Sequence, residues 1–427
     1  MNIYFKNIRA INPAQDLDEV LNLWIKDGII VHCSSQDASI NDDTEVLNAD
    51  NWVCSPGLYD MHVHFREPGF EYKEDIDSGA ESAANGGFTG VCVMPNTDPT
   101  IDNITVVNFI KQRAKDLLVD VGISASITQG REGKHLSPML ELADYGVLLF
   151  TDDGSCVMDS EVMKRAFDYA STRDLLISQH CEDHTLTKDY AMNEGAISGK
   201  LGLKGYPGVA EEIIVGRDVK LSEYCGNRRY HVQHISTIGA IYVLRDAKSR
   251  GLRVSSEATP HHFTNSEDEL VSYNPNLKMN PPLRTKDDIK AVIEGLKDGT
   301  IDCIVSDHAP HALHEKDVEY EKAPQGIIGL ETALGLTLTN LIHKNIISLN
   351  DMINKMSVNP RKLLNLKEIS ISVDEKANLS IFSPDEEWIV DSKKFKSKAK
   401  NSPYIGIKLK GKPKYTINNN RIYKSDL

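Results

Sequence analysis

Eight short apolar runs, separated by stretches of helical periodicity, occupy the middle of this chain and leave few folds open to it. The runs cover residues 58–65, 88–94, 119–127, 147–151, 175–180, 230–235, 252–258 and 302–306, with helix-like segments at 102–118, 160–172, 236–250 and 286–296 among the intervening stretches. Strands that alternate with helices predict a parallel sheet, because each return to the same edge needs a crossover. Eight such units between residues 55 and 365 predict an α/β fold, a closed (β/α)8 TIM barrel, whose site lies at the C-terminal ends of the strands. The flanks read differently. Leu23-Trp24-Ile25-Lys26, Asp27-Gly28 and Ile29-Ile30-Val31-His32 form a hairpin pattern, with Asp-Gly suited to a type I′ turn. The N-terminal strands are too few to stand alone. Strand-like runs at 369–373, 377–382, 404–409 and 415–422 supply partners, so residues 1–54 and 366–427 are expected to build one small β-sandwich beside the barrel.

Composition narrows the function. A formal net charge of −14 argues against a nucleic-acid partner. No apolar run approaches the roughly 20 residues that cross a bilayer, so no membrane span is expected, and Met1 to Phe5 opens into a strand pattern rather than a secretion signal. Seven scattered cysteines without a Cys-x-x-Cys pair read as buried thiols in a reducing cytoplasm.

The expected strand ends carry polar groups that a core does not need. His62 and His64 alternate onto one face of the first strand. The fourth ends in Asp152-Asp153-Gly154, the fifth in His180-Cys181-Glu182-Asp183, the sixth in His234-Ile235-Ser236-Thr237 and the eighth in Asp307-His308-Ala309-Pro310-His311. Imidazoles and carboxylates converging on one barrel mouth are a ligand set for zinc or a similar divalent metal. Asp152 and Asp153 cannot both face inward from an extended strand.

With these blocks, and with Phe65-Arg66-Glu67-Pro68-Gly69, Met94-Pro95-Asn96-Thr97 and Asn280-Pro281-Pro282-Leu283-Arg284, the chain resembles the amidohydrolase superfamily almost from end to end. Within it, the chain is most similar to the dihydroorotases of the bacterial type that carries aspartate where relatives have a carboxylated lysine. The resemblance implies that His62, His64 and Asp307 bind one zinc, that Asp153 binds or bridges, and that His180 and His234 bind a second. One or two zinc ions per chain are therefore expected, with Asp152 left to a supporting or capping role. The implied reaction is the reversible cyclisation of N-carbamoyl-L-aspartate to L-dihydroorotate, with zinc-activated hydroxide as nucleophile. Asp307 is the expected general acid/base, carrying the proton from the attacking oxygen to the departing amide nitrogen. Arg66 suits a charge-assisted fork to the ring carboxylate. The resemblance adds Asn96, Asn280 and His311 as substrate contacts, and Gln325 and Gly326 through their backbone. It further implies a homodimer and association with aspartate carbamoyltransferase.

Two other readings stay open at this level. A hydantoinase or allantoinase would share the barrel but usually carries the bridging lysine after strand four. A non-catalytic scaffold for the carbamoyltransferase would typically lack metal ligands, and none is missing here. His261, His262 and His308 read as hydrogen-bonding residues behind the ligands, and His135, His184, His314 and His343 as ordinary surface or helix residues. The lysine-rich run 393–398 reads as a solvated loop, and 313–323, dense in Glu and Lys, as an exposed loop or helix near the barrel mouth.

Overall fold

The structure, a computed structural model, describes residues 1–40 and 42–427. Its eight barrel strands are Leu58–Val63, Phe88–Val93, Asp120–Ala125, Leu149–Phe150, Ile177–Gln179, Tyr230–Val232, Val254–Ala258 and Cys303–Ile304, each parallel to the next in chain order. Between the last strand and the first the ring closes through a parallel bridge from Val63 to His308, where the His64 N–H donates to the His308 carbonyl at 2.9 Å. Asp60 reinforces that seam. Its carboxylate accepts from the His62 N–H at 3.0 Å and from the Ser306 N–H at 2.8 Å, tying the first strand to the eighth.

The surrounding helices form where their caps and apolar stripes direct them. Ser160–Ala170 starts at Asp159, whose side chain accepts from the N–H groups of Glu161 and Val162, and it buries Val162, Met163, Ala166, Phe167 and Ala170 on one face. Lys286–Asp298 opens on a capping box between Thr285 and Asp288 and stops at Gly299, which takes the left-handed conformation at φ +83°. Fully burying each large apolar side chain contributes roughly 1.5–3 kcal/mol, so this strand-to-helix layer holds the barrel rigid beneath its loops.

The terminal segments meet in one mixed sheet that forms the β-sandwich. Val53–Pro56 runs parallel to Asn2–Asn12 on one side and antiparallel to Leu379–Ile389 on the other, joining the two ends of the chain. Phe5, Leu23, Ile25, Leu379, Ile381 and Tyr415 fill its interior, with the Phe5 and Tyr415 rings edge to face at 5.6 Å. The hairpin turn falls at Asp27 and Gly28, both at positive φ.

Several local expectations change. Residues 369–373 are not a strand, because their backbone polar groups are taken by side chains: Asn12 Nδ2 donates to the Ile369 carbonyl and the Ile371 N–H donates to Gln15 Oε1. Residues 404–407 form a turn ahead of the strand Lys408–Asn418. The run 415–422 is broken by Asn419 and Asn420, both at positive φ, into a hairpin with Arg421–Lys424. The segment 313–323 is only partly exposed, since Lys316, Tyr320 and Ala323 are buried.

Candidate active site

Strand alternation and sharp turns at the strand ends bring the polar groups together. His62 Nε2 lies 3.3 Å from Asp153 and 3.5 Å from Asp307, and His64 Nε2 lies 3.1 Å from Asp307 and 3.5 Å from Asp153. His234 Nε2 is 3.7 Å from Asp153, and His180 Nδ1 is 4.0 Å from Asp153 and 2.9 Å from His234 Nε2. Two buried groups have ligand geometry: His62, His64 and Asp307, and His62, Asp153 and His234. They share His62. His180 stands beside the second group without completing it. Arg66, His234 and Asp307 all take positive φ, at 62°, 29° and 48°. Such backbone costs of order 1–3 kcal/mol per residue and persists only where the surroundings enforce it.

The outer nitrogens of the histidines are fixed from behind. His62 Nδ1–H donates to Glu257 at 2.5 Å, and Glu257 also accepts from His231 Nε2 at 3.1 Å. His64 Nδ1–H donates to Asn96 Oδ1 at 2.8 Å. Both rings therefore turn the Nε2 lone pair toward the cleft, the tautomer a metal ligand needs. Glu257 received no role from the sequence. Its only signal there was a carboxylate inside an otherwise buried strand.

The charges balance in a way a cation would complete. Burial pushes the Asp307 and Asp153 carboxyls up, but the positive charge of protonated His62 and its histidine neighbours outweighs it and holds both below the usual range; a divalent cation held by the neutral rings supplies that positive charge in place of the protons. His62 Nε2 and Asp153 Oδ1 are buried without a hydrogen-bond partner, as is His234 Nδ1. Orphaned polar atoms at this depth are costly, and a divalent ion satisfies nitrogen and carboxylate lone pairs together, so the donor set fits a metal.

Asp152 faces away. Its carboxylate accepts from the Thr128 N–H at 3.0 Å and from the Thr128 hydroxyl, so of the two aspartates only Asp153 enters the cleft. His262 bonds Thr259 and the Pro281 carbonyl, and His308 accepts from Gly329 while Nε2 reaches Glu74 at 3.4 Å, both in supporting positions. His261 is buried behind the site, with Nε2 unpartnered, and burial lowers it to about 4.

Arg66, Asn96, Asn280, His311, Gln325 and Gly326 line the same cleft of about 200 Å³ as His64, Asp153, His180, His234 and Asp307. Arg66 Nε donates to the Pro310 carbonyl at 3.2 Å, and its two terminal nitrogens make no hydrogen bond to the described residues. Burial lowers this guanidinium to about 10, and Asp307 and Asp153 pull the other way, so it stays charged at neutral pH. Asn280 gives its Nδ2 to Glu182 at 2.8 Å, leaving Oδ1 buried and free as an acceptor. His311 Nε2–H donates to the Gln325 carbonyl at 2.8 Å, so the ring braces the Gln325–Gly326 segment.

The chain is similar to known proteins over its whole length. Residues 52–239 match the family model described as dihydro-orotase-like. A dihydroorotase of Syntrophus aciditrophicus (strain SB) is 45% identical over 100% of both chains, and one of Clostridioides difficile (strain 630) is 47% identical over 98% of this chain and 99% of its own. Among solved structures, the L-hydantoinase (dihydropyrimidinase) of Arthrobacter aurescens superposes with a TM-score of 0.87, covering 99% of this chain and 96% of its own, at 24% identity. A dihydropyrimidinase from Brevibacillus agri NCHU1002 gives 0.85 at 19% identity, over 100% of this chain and 95% of its own. At that identity the structural likeness establishes the shared fold.

Proposed function

Because this chain belongs to the dihydroorotase family of the amidohydrolase superfamily, metal-dependent cyclic amidohydrolases, we propose that it is a zinc enzyme interconverting N-carbamoyl-L-aspartate and L-dihydroorotate in pyrimidine biosynthesis. The observation that carries the proposal is the pairing, in one small cleft, of two buried His/Asp groups with an anchored arginine whose fork is free. His62, His64 and Asp307 would hold one ion and Asp153, His180 and His234 a second, with Asp153 standing where relatives carry a carboxylated lysine. When bound, the metal lowers the pKa of coordinated water and polarises the ring carbonyl.

The chain's own groups account for the rest. In the hydrolytic direction a carbon–oxygen bond forms at the ring carbonyl and the carbon–nitrogen bond breaks. Asp307, a carboxylate whose ordinary range already leaves it ionised at neutral pH, accepts the proton of the attacking oxygen and delivers it to the departing nitrogen. Arg66 binds the ring carboxylate through its free fork, and Asn96, whose Oδ1 is occupied by His64, has only its N–H donors left for that carboxylate. Asn280 offers an acceptor oxygen, which suits a ring N–H better than a carboxylate. Gln325 and Gly326, braced by His311, contact the ring through their backbone.

Turnover of L-dihydroorotate and of hydantoin by purified protein of measured metal content tests the reading. Dihydroorotate turnover that scales with zinc supports it; turnover of hydantoin alone, or of neither, refutes it. The family likeness also supports a cytoplasmic homodimer that associates with aspartate carbamoyltransferase, which sedimentation with and without that enzyme checks.

A further inference from the structure

Lys316 is an unusual lysine. Only 5% of it is exposed, and it makes no ion pair with any described residue. Its ammonium donates instead to three backbone carbonyls: Pro324 at 2.7 Å, Pro275 at 3.0 Å and Lys278 at 3.3 Å. Burial and nearby Lys278 lower Lys316 to about 7, while the three converging carbonyl acceptors match the three hydrogens of its protonated form and nothing flatter.

The owners of those carbonyls matter more than their number. Pro324 immediately precedes Gln325 and Gly326, and Lys278 lies two residues before Asn280, so the two segments that Lys316 joins each lead into a wall of the candidate active site. Further ties run along the same seam. The Gly326 N–H donates to the Lys278 carbonyl at 2.9 Å, and Lys278 Nζ donates to the Glu321 carbonyl at 2.7 Å. None of these lysines touches the cleft itself. Lys316 instead lines a separate, larger cleft of about 690 Å³, on the other side of His311.

We propose that Lys316 is a positioning residue for substrate: its ammonium clamps the segment leading to Asn280 against the segment leading to Gln325 and Gly326, and so sets the spacing of two walls of the cleft. The proposal rests on the functional reading above. None of the proposed metal ligands lies on either clamped segment, and the one side-chain tie between them among the described residues runs from Asn280 Nδ2 to His180 Nε2 at 3.1 Å, so removing the clamp leaves His62, His64, Asp153, His234 and Asp307 in place. Binding of the ring suffers while the reacting groups stay in register.

The test compares the parent enzyme with Lys316→Met, Lys316→Arg and Lys316→Ala. Lys316→Met is expected to raise KM for dihydroorotate about tenfold with kcat changed less than about threefold, the pattern of lost uniform binding, at parental zinc content. Lys316→Arg, which keeps the charge but presents a planar fork, is expected to raise KM as well, and it serves if the Met variant does not fold. In Lys316→Ala, ethylammonium is expected to bring KM back down, whereas tetramethylammonium, which donates no hydrogen bond, is not. Hydrogen–deuterium exchange, which needs no turnover, should rise in residues 273–280 and 322–327 of each variant. An unchanged KM in an active parent background, equal rescue by both cations, or unchanged exchange in those segments would overturn the clamp. A parent that does not turn over dihydroorotate would overturn the functional reading and the substrate role together.

Discussion

Asp307 is asked to do two things, hold a metal and carry a proton, and substitution can separate them. Asp307→Asn keeps an oxygen at the same place but cannot accept a proton at neutral pH. We expect kcat to fall about 10²–10⁴-fold, the range for losing a general acid/base, with most of the zinc retained by elemental analysis. Parental turnover in that variant would assign the proton to another group. Arg66 has a single expected task. Its Nε is anchored on the Pro310 carbonyl, so Arg66→Met removes the free fork from a site the backbone still shapes. KM for dihydroorotate should rise at least about tenfold, because a charge-assisted pair is worth roughly 1.5–3 kcal/mol. An unchanged KM would place the carboxylate elsewhere.

At the scale of elements, the strand Leu379–Ile389 connects parts of the chain that are distant in sequence. It pairs with Val53–Pro56 on one edge and with Lys408–Asn418 on the other, and Ile381 sits fully buried at the junction, opposite Cys54 and Tyr415. Ile381→Ala should therefore cost about 2–5 kcal/mol in urea denaturation. The proposed metal ligands all lie at barrel strand ends, so zinc content measured on the folded variant should match the parent. A loss below about 1 kcal/mol would mean that this sheet can collapse around the missing side chain. The same strand shows why local patterns mislead. Its neighbours at 369–373 look equally strand-like, yet Asn12 and Gln15 claim their backbone and no ladder forms.

For the molecule as a whole, the site is a store of uncompensated polarity that fits a metal ion. His62 Nε2, Asp153 Oδ1 and His234 Nδ1 are buried without partners, on residues that follow or end three different barrel strands and meet at one mouth. Chelation should lower the melting temperature by several degrees and added zinc should restore it, since a ligand at about 1,000 times its Kd stabilises the folded state by roughly 4 kcal/mol. Identical melting curves with and without chelator would show that the groups hold no ion under those conditions.

Periodicity alone carried the barrel. Eight apolar runs alternating with helical stretches admit few arrangements, and the strand-end histidines and aspartates stood out as candidate ligands because a hydrophobic core has no use for them there, the family resemblance then choosing among them. The hairpin at Asp27-Gly28 was legible for a similar reason, since its turn chemistry is local. What only the tertiary structure decided were the relations between distant residues. Glu257 became visible as the support of His62 once ring closure set strands seven and one on either side of strand eight. Asn280 showed an acceptor rather than a donor to the cleft because Glu182 and His180 had already taken its amide hydrogens. Lys316, one of many charged residues in a loop that reads as exposed, proved to be buried under three carbonyls. Side-chain alternation and turn chemistry are properties of neighbouring residues and are written in the sequence. Which hydrogen bond a buried group makes depends on what the rest of the chain brings beside it, and that is settled only when the barrel closes.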